Sequence, residues 1–192
     1  MFQSPAVDER ARRIVETAVE LAEKGGFEAV RLRDVAAYSG VALGTLYRHF
    51  RSKEDLLVAA LADQVGQLEA RMTAHPADGP SANERVCSFF ATATLGLCGK
   101  PMLAKAMLRA MSSGQPELTE KVASFHGRIS QLVAAALRGN GGLTTPGPAD
   151  NGVGLVLQAV WFTSLVGWGG GLHDRSTVIE QVREAAELIL DS

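Results

Sequence analysis

"GVALGTLYRHFRSKEDLL", Gly40 to Leu57, is the stretch whose reading decides the fold. Leu43 to Phe50 reads as a short helix. Leu46 and Phe50 stand four apart and share an inward face, which leaves Thr45, Arg48 and His49 on the other side. Before it, about Arg33 to Ser39 reads as another short helix with Val35 and Ala36 inward, and "SGVA" as the tight turn between the two. After it, Ser52 stands three residues before Asp55, a variant of the capping box. That pair opens a long helix, about Lys53 to Met72, with Leu56, Leu57, Ala60, Leu61, Gln64 and Leu68 at helical spacing. Two short helices joined by a tight turn and held by their neighbours make a helix-turn-helix. The second helix of such a motif can enter the major groove of DNA with its N-terminal residues at the base edges.

The residue types suit that task. Ala42, Leu43 and Gly44 are small or apolar and let the backbone come close to a groove. Thr45 offers a hydroxyl and a methyl, and Tyr47 and Arg48 have the reach for phosphate or a base. The chain carries a formal charge of −2 over 192 residues. From Arg31 to Lys53, however, five basic residues (31, 33, 48, 51 and 53) face one acid, Asp34. Phosphate contacts need a basic patch and not a basic protein. Phosphate contacts position the protein, and base contacts discriminate. Exposed arginines and paired short helices also occur on ordinary solvated bundles, so periodicity and charge alone leave both readings open.

Outward from this stretch the chain stays helical. Asp8 to Lys24 has helical period, with Ile14, Ala18, Leu21 and Ala22 on one face, and Gly25-Gly26 ends it at a left-handed cap. "AHPADGPSAN" (74–83) is a boundary rich in breakers. Apolar helical stretches follow at about Asn83–Leu97, Pro101–Met111 and Glu117–Arg138. "GNGGLTTPGPADNG" (139–152) is a second, mobile break. Helices at about Val153–Leu172 and Ser176–Leu190 close the chain. No strand, repeat or coiled-coil pattern is present. The chain reads as all-α, with a helix-turn-helix DNA-binding domain over 1–53 and a helical domain over 54–192.

Cys87 and Cys98 lie eleven residues apart on one helix, about 16 Å at 1.5 Å per residue, too far for a disulfide. They read as core thiols of a reducing compartment. "MFQSPAVDERARR" has no apolar signal core, and no run reaches the roughly 18 consecutive apolar residues of a membrane span. The expectation is a cytoplasmic protein with no membrane partner. "LVLQAVWFTSLVGW" (155–168) sets Leu155, Val156, Ala159, Val160, Phe162, Thr163, Val166 and Gly167 around most of a helix. Such a helix must be buried on several sides, which a two-fold partner achieves through the last two helices. The histidines (49, 75, 126, 173) and the two cysteines show no metal-ligand spacing. His126 and Ser130 share a face but lack a third orienting group. No glycine cluster follows a strand to cradle phosphate. No catalytic residue, metal or cofactor is expected. The rival readings are a helical small-molecule-binding or interaction protein without DNA binding, and a hydrolytic enzyme.

"GGFEAVRLRDVAAYSGVALGTLYRHFRSKEDLLVAAL" resembles the DNA-binding region of the TetR family of bacterial repressors. Gly26, Phe27, Asp34, Val35, Ala36, Gly40, Val41, Gly44, Thr45, Leu46, Tyr47, Phe50, Lys53, Leu56 and Leu57 fall in register. The resemblance implies about nine helices, with a C-terminal helical domain that binds a small molecule and dimerises. It also implies a double-stranded, palindromic operator. It places Thr45 and Tyr47 in the recognition helix and Lys53 on phosphate. Arg31 departs from the family's usual capping threonine. The full DNA-facing set is then Arg31, Arg33, Ala42, Leu43, Gly44, Thr45, Tyr47, Arg48, His49 and Lys53.

A narrower resemblance, in "KPMLAKAMLRAMSSG" and "VLQAVWFTSLVGWGGGL", is to the actinobacterial TetR-type repressors of cholesterol and steroid catabolism. It implies a bulky apolar effector, such as a steroid-derived coenzyme A thioester. The candidate pocket residues are Phe89, Phe90, Met102, Met107, Met111, Phe125, Trp161, Phe162, Leu165 and Trp168. Lys100, Lys105, Arg109 and Arg128 are candidates for the acidic coenzyme A portion. The effector is expected to move the Lys53–Met72 helix and release the operator.

Overall fold

The computed structural model describes residues 5–140 and 143–191. Among them are nine α-helices and no strand: α1 Pro5–Ala29, α2 Leu32–Tyr38, α3 Leu43–His49, α4 Lys53–Ala74, α5 Ala82–Cys98, α6 Pro101–Met111, α7 Thr119–Arg138, α8 Pro148–Gly169 and α9 Arg175–Leu190. A 3-10 turn, Pro116–Leu118, precedes α7. Gly141 and Gly142, in the middle of the second predicted break, lie outside the described residues.

The helices form two compact units interleaved along the chain. One holds the residues up to Asp63 together with Lys100–Val122; the other holds Gln64–Gly99 and the residues from Ala123 onward. The packing thus groups α6 and the first half of α4 with the helix-turn-helix, where the sequence suggests a single division after residue 53. Helices α4 and α7 each contribute to both units.

In the first unit, α1 packs on α2, α3 and α6. Ile14, Ala18 and Ala22 of α1, Val35 of α2, Leu46 of α3 and Leu56, Leu57 and Ala60 of α4 are wholly buried. Each of the larger side chains contributes about 1.5–3 kcal/mol by leaving water. The chain leaves helical geometry at Gly25 (φ −142°) and Gly26 (φ 66°, ψ −157°), where the sequence placed a left-handed cap. A Cβ on Gly26 would stand 3.1 Å from the flexible tip of Met102, so it is the positive φ of Gly26 that favours glycine there.

In the second unit, each helix start has a local cause. Ser81 Oγ accepts from Glu84 N–H at 3.1 Å, and Ser81 N–H donates to Glu84 Oε2 at 3.0 Å, a complete capping box at α5. Pro148 occupies the first turn of α8, and Gly147 N–H donates to Asp150 Oδ2 at 2.7 Å. That cap starts α8 five residues before the predicted Val153, so Pro148–Gly152 is helix and not part of a mobile break. At its other end α8 stops at Gly169, short of the predicted Leu172, because Gly171 turns to φ 81°. Inside, Phe89 meets Phe90 edge to face and Phe90 meets Trp161 at a tilt, with centroids 5.0 and 5.5 Å apart, and Trp161 Nε1–H donates to Thr94 Oγ1 at 2.9 Å. Helix α9 packs on α5 and α8. Leu157, Trp161 and Leu165 of α8 point inward, while positions 152, 155, 156, 159, 163 and 166 form an exposed stripe. Leu155 in that stripe is 70% exposed. Among the described helices α8 alone is long and apolar enough to cross a bilayer.

Candidate nucleic-acid interface

Arg31 enters α2 in an extended conformation (φ −108°, ψ 126°) with no side-chain cap. Its carbonyl still accepts from Val35 N–H at 2.9 Å, so the helix starts without the missing threonine. At the far end Ser39 is buried and its hydroxyl donates to Val35 O at 2.7 Å. Gly40 takes φ 69°, and Val41 N–H closes onto Ala36 O at 3.0 Å. This left-handed residue turns the chain between α2 and α3 in the space of four residues, Ser39–Ala42.

Leu46 and Phe50 pin α3 to the unit, as their spacing predicts. The opposite side carries the groups that can meet nucleic acid. Ala42, Gly44, Tyr47 and Arg48 are exposed, and Leu43, Thr45 and His49 are half-buried. A Cβ on Gly44 would meet nothing within 4 Å, so this part of α3 is open to close approach. Arg48 Nη2 donates to Thr45 Oγ1 at 3.0 Å, which holds a guanidinium beside a hydroxyl on one face. Arg31 and Arg33 are exposed near the start of α2. Tyr38, at the last position of α2, is 73% exposed, although sequence reasoning did not single it out. The available signal is its place beyond Ala36, the last apolar residue turned inward.

The start of α4 is built from the predicted Ser52 and Asp55, with one difference. Ser52 Oγ accepts from Asp55 N–H at 3.0 Å, but the Asp55 carboxylate accepts from Arg51 N–H at 3.0 Å and not from the backbone of Ser52. It also pairs with Lys121. A carboxylate at a helix N-terminus is favoured by the helix dipole. Beside this cap a polar cleft of about 720 Å³ is lined by Arg48, His49, Arg51, Ser52, Asp55, Gln115, Glu117, Leu118 and Lys121.

Lys53 is held more closely than the sequence suggests. Its Nζ lies 3.4 Å from Glu28 Oε2 and 3.9 Å from the centre of the Phe27 ring. Arg109 of α6 shares both partners: its Nη1 donates to Glu28 Oε1 at 2.8 Å, and its Cζ lies 4.0 Å from the same ring. Hydrogen bonds from Arg109 first and Lys53 second hold the Glu28 carboxyl below the usual carboxylate range. Arg109 is 81 positions from Glu28, and no local pattern announces the pair.

The predicted pocket residues divide between the units. Phe89, Phe90, Trp161 and Leu165 are buried together in the core of the second unit. Phe125 and Phe162 flank His126 at 5.3 and 6.4 Å, and Gln158 Oε1 lies 3.4 Å from His126 Nδ1. Trp168 is half-buried in the last turns of α8. Met102, Met107 and Met111 lie on α6 in the first unit: Met107 is buried and Met102 is 45% exposed. Of the cations considered for coenzyme A, Lys100 pairs with Glu23 at 2.5 Å, Arg109 with Glu28, and Arg128 grips Glu69 through Nε and Nη2 at 2.5 Å each. Cys98 is buried, and burial pushes its thiol up to about 11; Cys87 is half-buried. Among the described residues no cluster of His, Cys, Asp and Glu is placed to hold a metal ion.

Residues 14–60 match the family of bacterial regulatory proteins, tetR family, and residues 79–189 match a tetracyclin repressor-like C-terminal domain. The HTH-type transcriptional repressor KstR of Rhodococcus jostii is 33% identical over 189 residues, covering 98% of this chain and 86% of the relative. KstR of Mycobacterium tuberculosis is 32% identical over 165 residues, 86% of this chain and 73% of the relative. A TetR transcriptional regulator from Rhodococcus sp. RHA1 superposes with a TM-score of 0.83 at 28% identity, covering 95% and 97% of the two chains. The transcriptional regulator FadR of Bacillus subtilis, in complex with stearoyl-CoA, shares the fold at a TM-score of 0.64 and 19% identity, covering 93% and 97%. These relatives are transcriptional regulators and not enzymes.

Proposed function

Because this chain belongs to the TetR family of bacterial regulators, we propose that it is a ligand-responsive repressor that reads a two-fold operator through α3. The observation that carries the proposal is the outward face of α3. There Thr45, Tyr47 and Arg48 stand together over a helix anchored by buried Leu46 and Phe50. In this reading Thr45, Tyr47 and Arg48 meet base edges. Ala42, Leu43 and Gly44 permit close approach. Arg31, Arg33, His49 and Lys53 meet phosphate. The exposed apolar stripe of α8, with α9, is covered by a second copy, which spaces two reading helices for successive major grooves, about 34 Å apart. Its site of action on the chromosome is cytoplasmic.

The effector is a coenzyme A thioester with a bulky apolar acyl part, and the narrower resemblance favours a steroid-derived one. Its apolar portion is taken up by the second unit, among Phe89, Phe90, Phe125, Trp161, Phe162, Leu165 and Trp168. Because α4 contributes to both units, a ligand that prefers another position of α4 shifts the DNA-reading helices with it. It does so only by the difference in its affinity for the two states.

The test is fluorescence anisotropy against labelled DNA from upstream of the protein's own gene, with unrelated DNA as control. Binding about 10³-fold tighter than to the control, weakening steeply with salt, is expected. Thr45→Ala and Tyr47→Phe each cost about 1–3 kcal/mol of that binding with unchanged melting temperature. Acyl and steroid coenzyme A thioesters are then titrated for release. Variants that bind DNA as well as the native protein overturn the assignment of α3.

A further inference from the structure

We propose that Arg109 of α6 is a positioning residue for DNA binding: by holding Glu28 it keeps Lys53 available to phosphate. The inference rests on the reading that Lys53 meets DNA. Lys53 Nζ stands over the Phe27 ring with Glu28 Oε2 at 3.4 Å, and its side chain is 28% exposed. Left alone with Lys53, that carboxylate would neutralise it and compete with phosphate for the same ammonium. Arg109 meets the other oxygen, Oε1, at the shorter distance of 2.8 Å. A guanidinium is the better partner for a carboxylate, being planar and permanently charged. Among the described residues, Lys53 and Arg109 are the two cations in ion-pair reach of Glu28. The Lys53–Glu28–Arg109 cluster therefore carries a net charge of +1; without Arg109 it carries none.

This arrangement also ties the charge at Lys53 to the position of α6. Arg109 stands in the last turn of that helix, whose Leu103, Ala106, Met107 and Ala110 are buried and which packs on α1. Phe27 and Glu28 follow the Gly25-Gly26 break in α1.

The test uses the full chain and two duplexes: one recovered by genomic fragment selection with the native protein, and one of random sequence. Binding is measured as a salt series for the native protein, Arg109→Gln, Glu28→Gln, the double variant and Lys53→Gln. Loss of one phosphate charge lowers the salt slope by about 0.9 per contacting subunit, about eightfold in affinity at 0.1 M salt. Arg109→Gln is expected to cost that much on both duplexes. Glu28→Gln alone does not weaken binding, because it leaves Lys53 free of the carboxylate with or without Arg109. The double variant binds like the native protein. An equal cost of Arg109→Gln with and without Glu28 means that the arginine meets DNA itself, which overturns the inference. A lowered melting temperature without rescue by Glu28→Gln means a structural role and overturns it as well. Lys53→Gln with an unchanged salt slope overturns the underlying assignment of Lys53 to phosphate. Lys53→Gln with a reduced slope beside a silent Arg109→Gln overturns the inference alone.

Discussion

Helices α3 and α8 each bury one side and expose the other, and the exposed sides differ in kind. The seven residues of α3 hold on to their unit through Leu46 and the following Phe50, and they turn a hydroxyl, a phenol and a guanidinium outward. The 22 residues of α8 bury Leu157, Trp161 and Leu165 and leave a second apolar stripe, with Leu155, Val156 and Val166 exposed. An outward face of charges and aromatic hydroxyls suits phosphates and base edges, where water is displaced by hydrogen bonds. An outward apolar face gains only from being covered, and in the proposed reading a second copy of the same stripe covers it. In that reading one chain carries two interfaces, each proposed from what it leaves uncovered.

The largest expected effect breaks the apolar side of this comparison. Leu155→Arg combined with Val166→Arg yields a monomer by sedimentation and lowers operator affinity by about 10²–10⁴-fold, since two linked reading heads bind far more tightly than one. A dimer that persists in this variant places the interface elsewhere. Next in size is the anchor under α3. Leu46→Ala removes a wholly buried side chain and lowers stability by about 2–5 kcal/mol, read from the denaturant midpoint. Smaller again is the turn between α2 and α3. A Cβ on Gly40 would meet nothing within 4 Å, so Gly40→Ala is charged only for its φ of 69°, about 1–2 kcal/mol. A cost near zero means that the turn relaxes into another geometry.

The smallest effect concerns the start of α9. Hydrogen bonds from the Ser176 hydroxyl and the Thr177 N–H hold the Asp174 carboxyl down at about 2. A carboxylate depressed in the folded state stabilises it above the unfolded value near 3.8. That contribution is lost as pH falls through the folded value. The difference in melting temperature between the native protein and Asp174→Ala is therefore steady above about pH 5 and shrinks between about pH 4 and 2. A difference that stays constant through that window removes the charge from the cap.

What the sequence determined by itself was local. Apolar spacing, Gly25-Gly26, the "SGVA" turn, Ser52 with Asp55 and Pro101 placed the helices to within a few residues, because caps, turns and amphipathic faces depend on neighbours three or four positions away. The outward set on α3 was legible for the same reason, since Leu46 and Phe50 declare which side is in. The early start of α8 was harder to see: its cap is Asp150 on Gly147, inside a run rich in glycine and proline. Tertiary structure alone decided that α6 packs on α1, and that Met102, Met107 and Met111 belong to one unit and Phe89, Phe90 and Trp161 to the other. It alone brought Arg109 to Glu28 and Lys53, and Lys121 to Asp55. These contacts join residues 25 to 81 positions apart, and charge pairs at that range leave no periodic trace because long side chains find their partners only after the helices have packed.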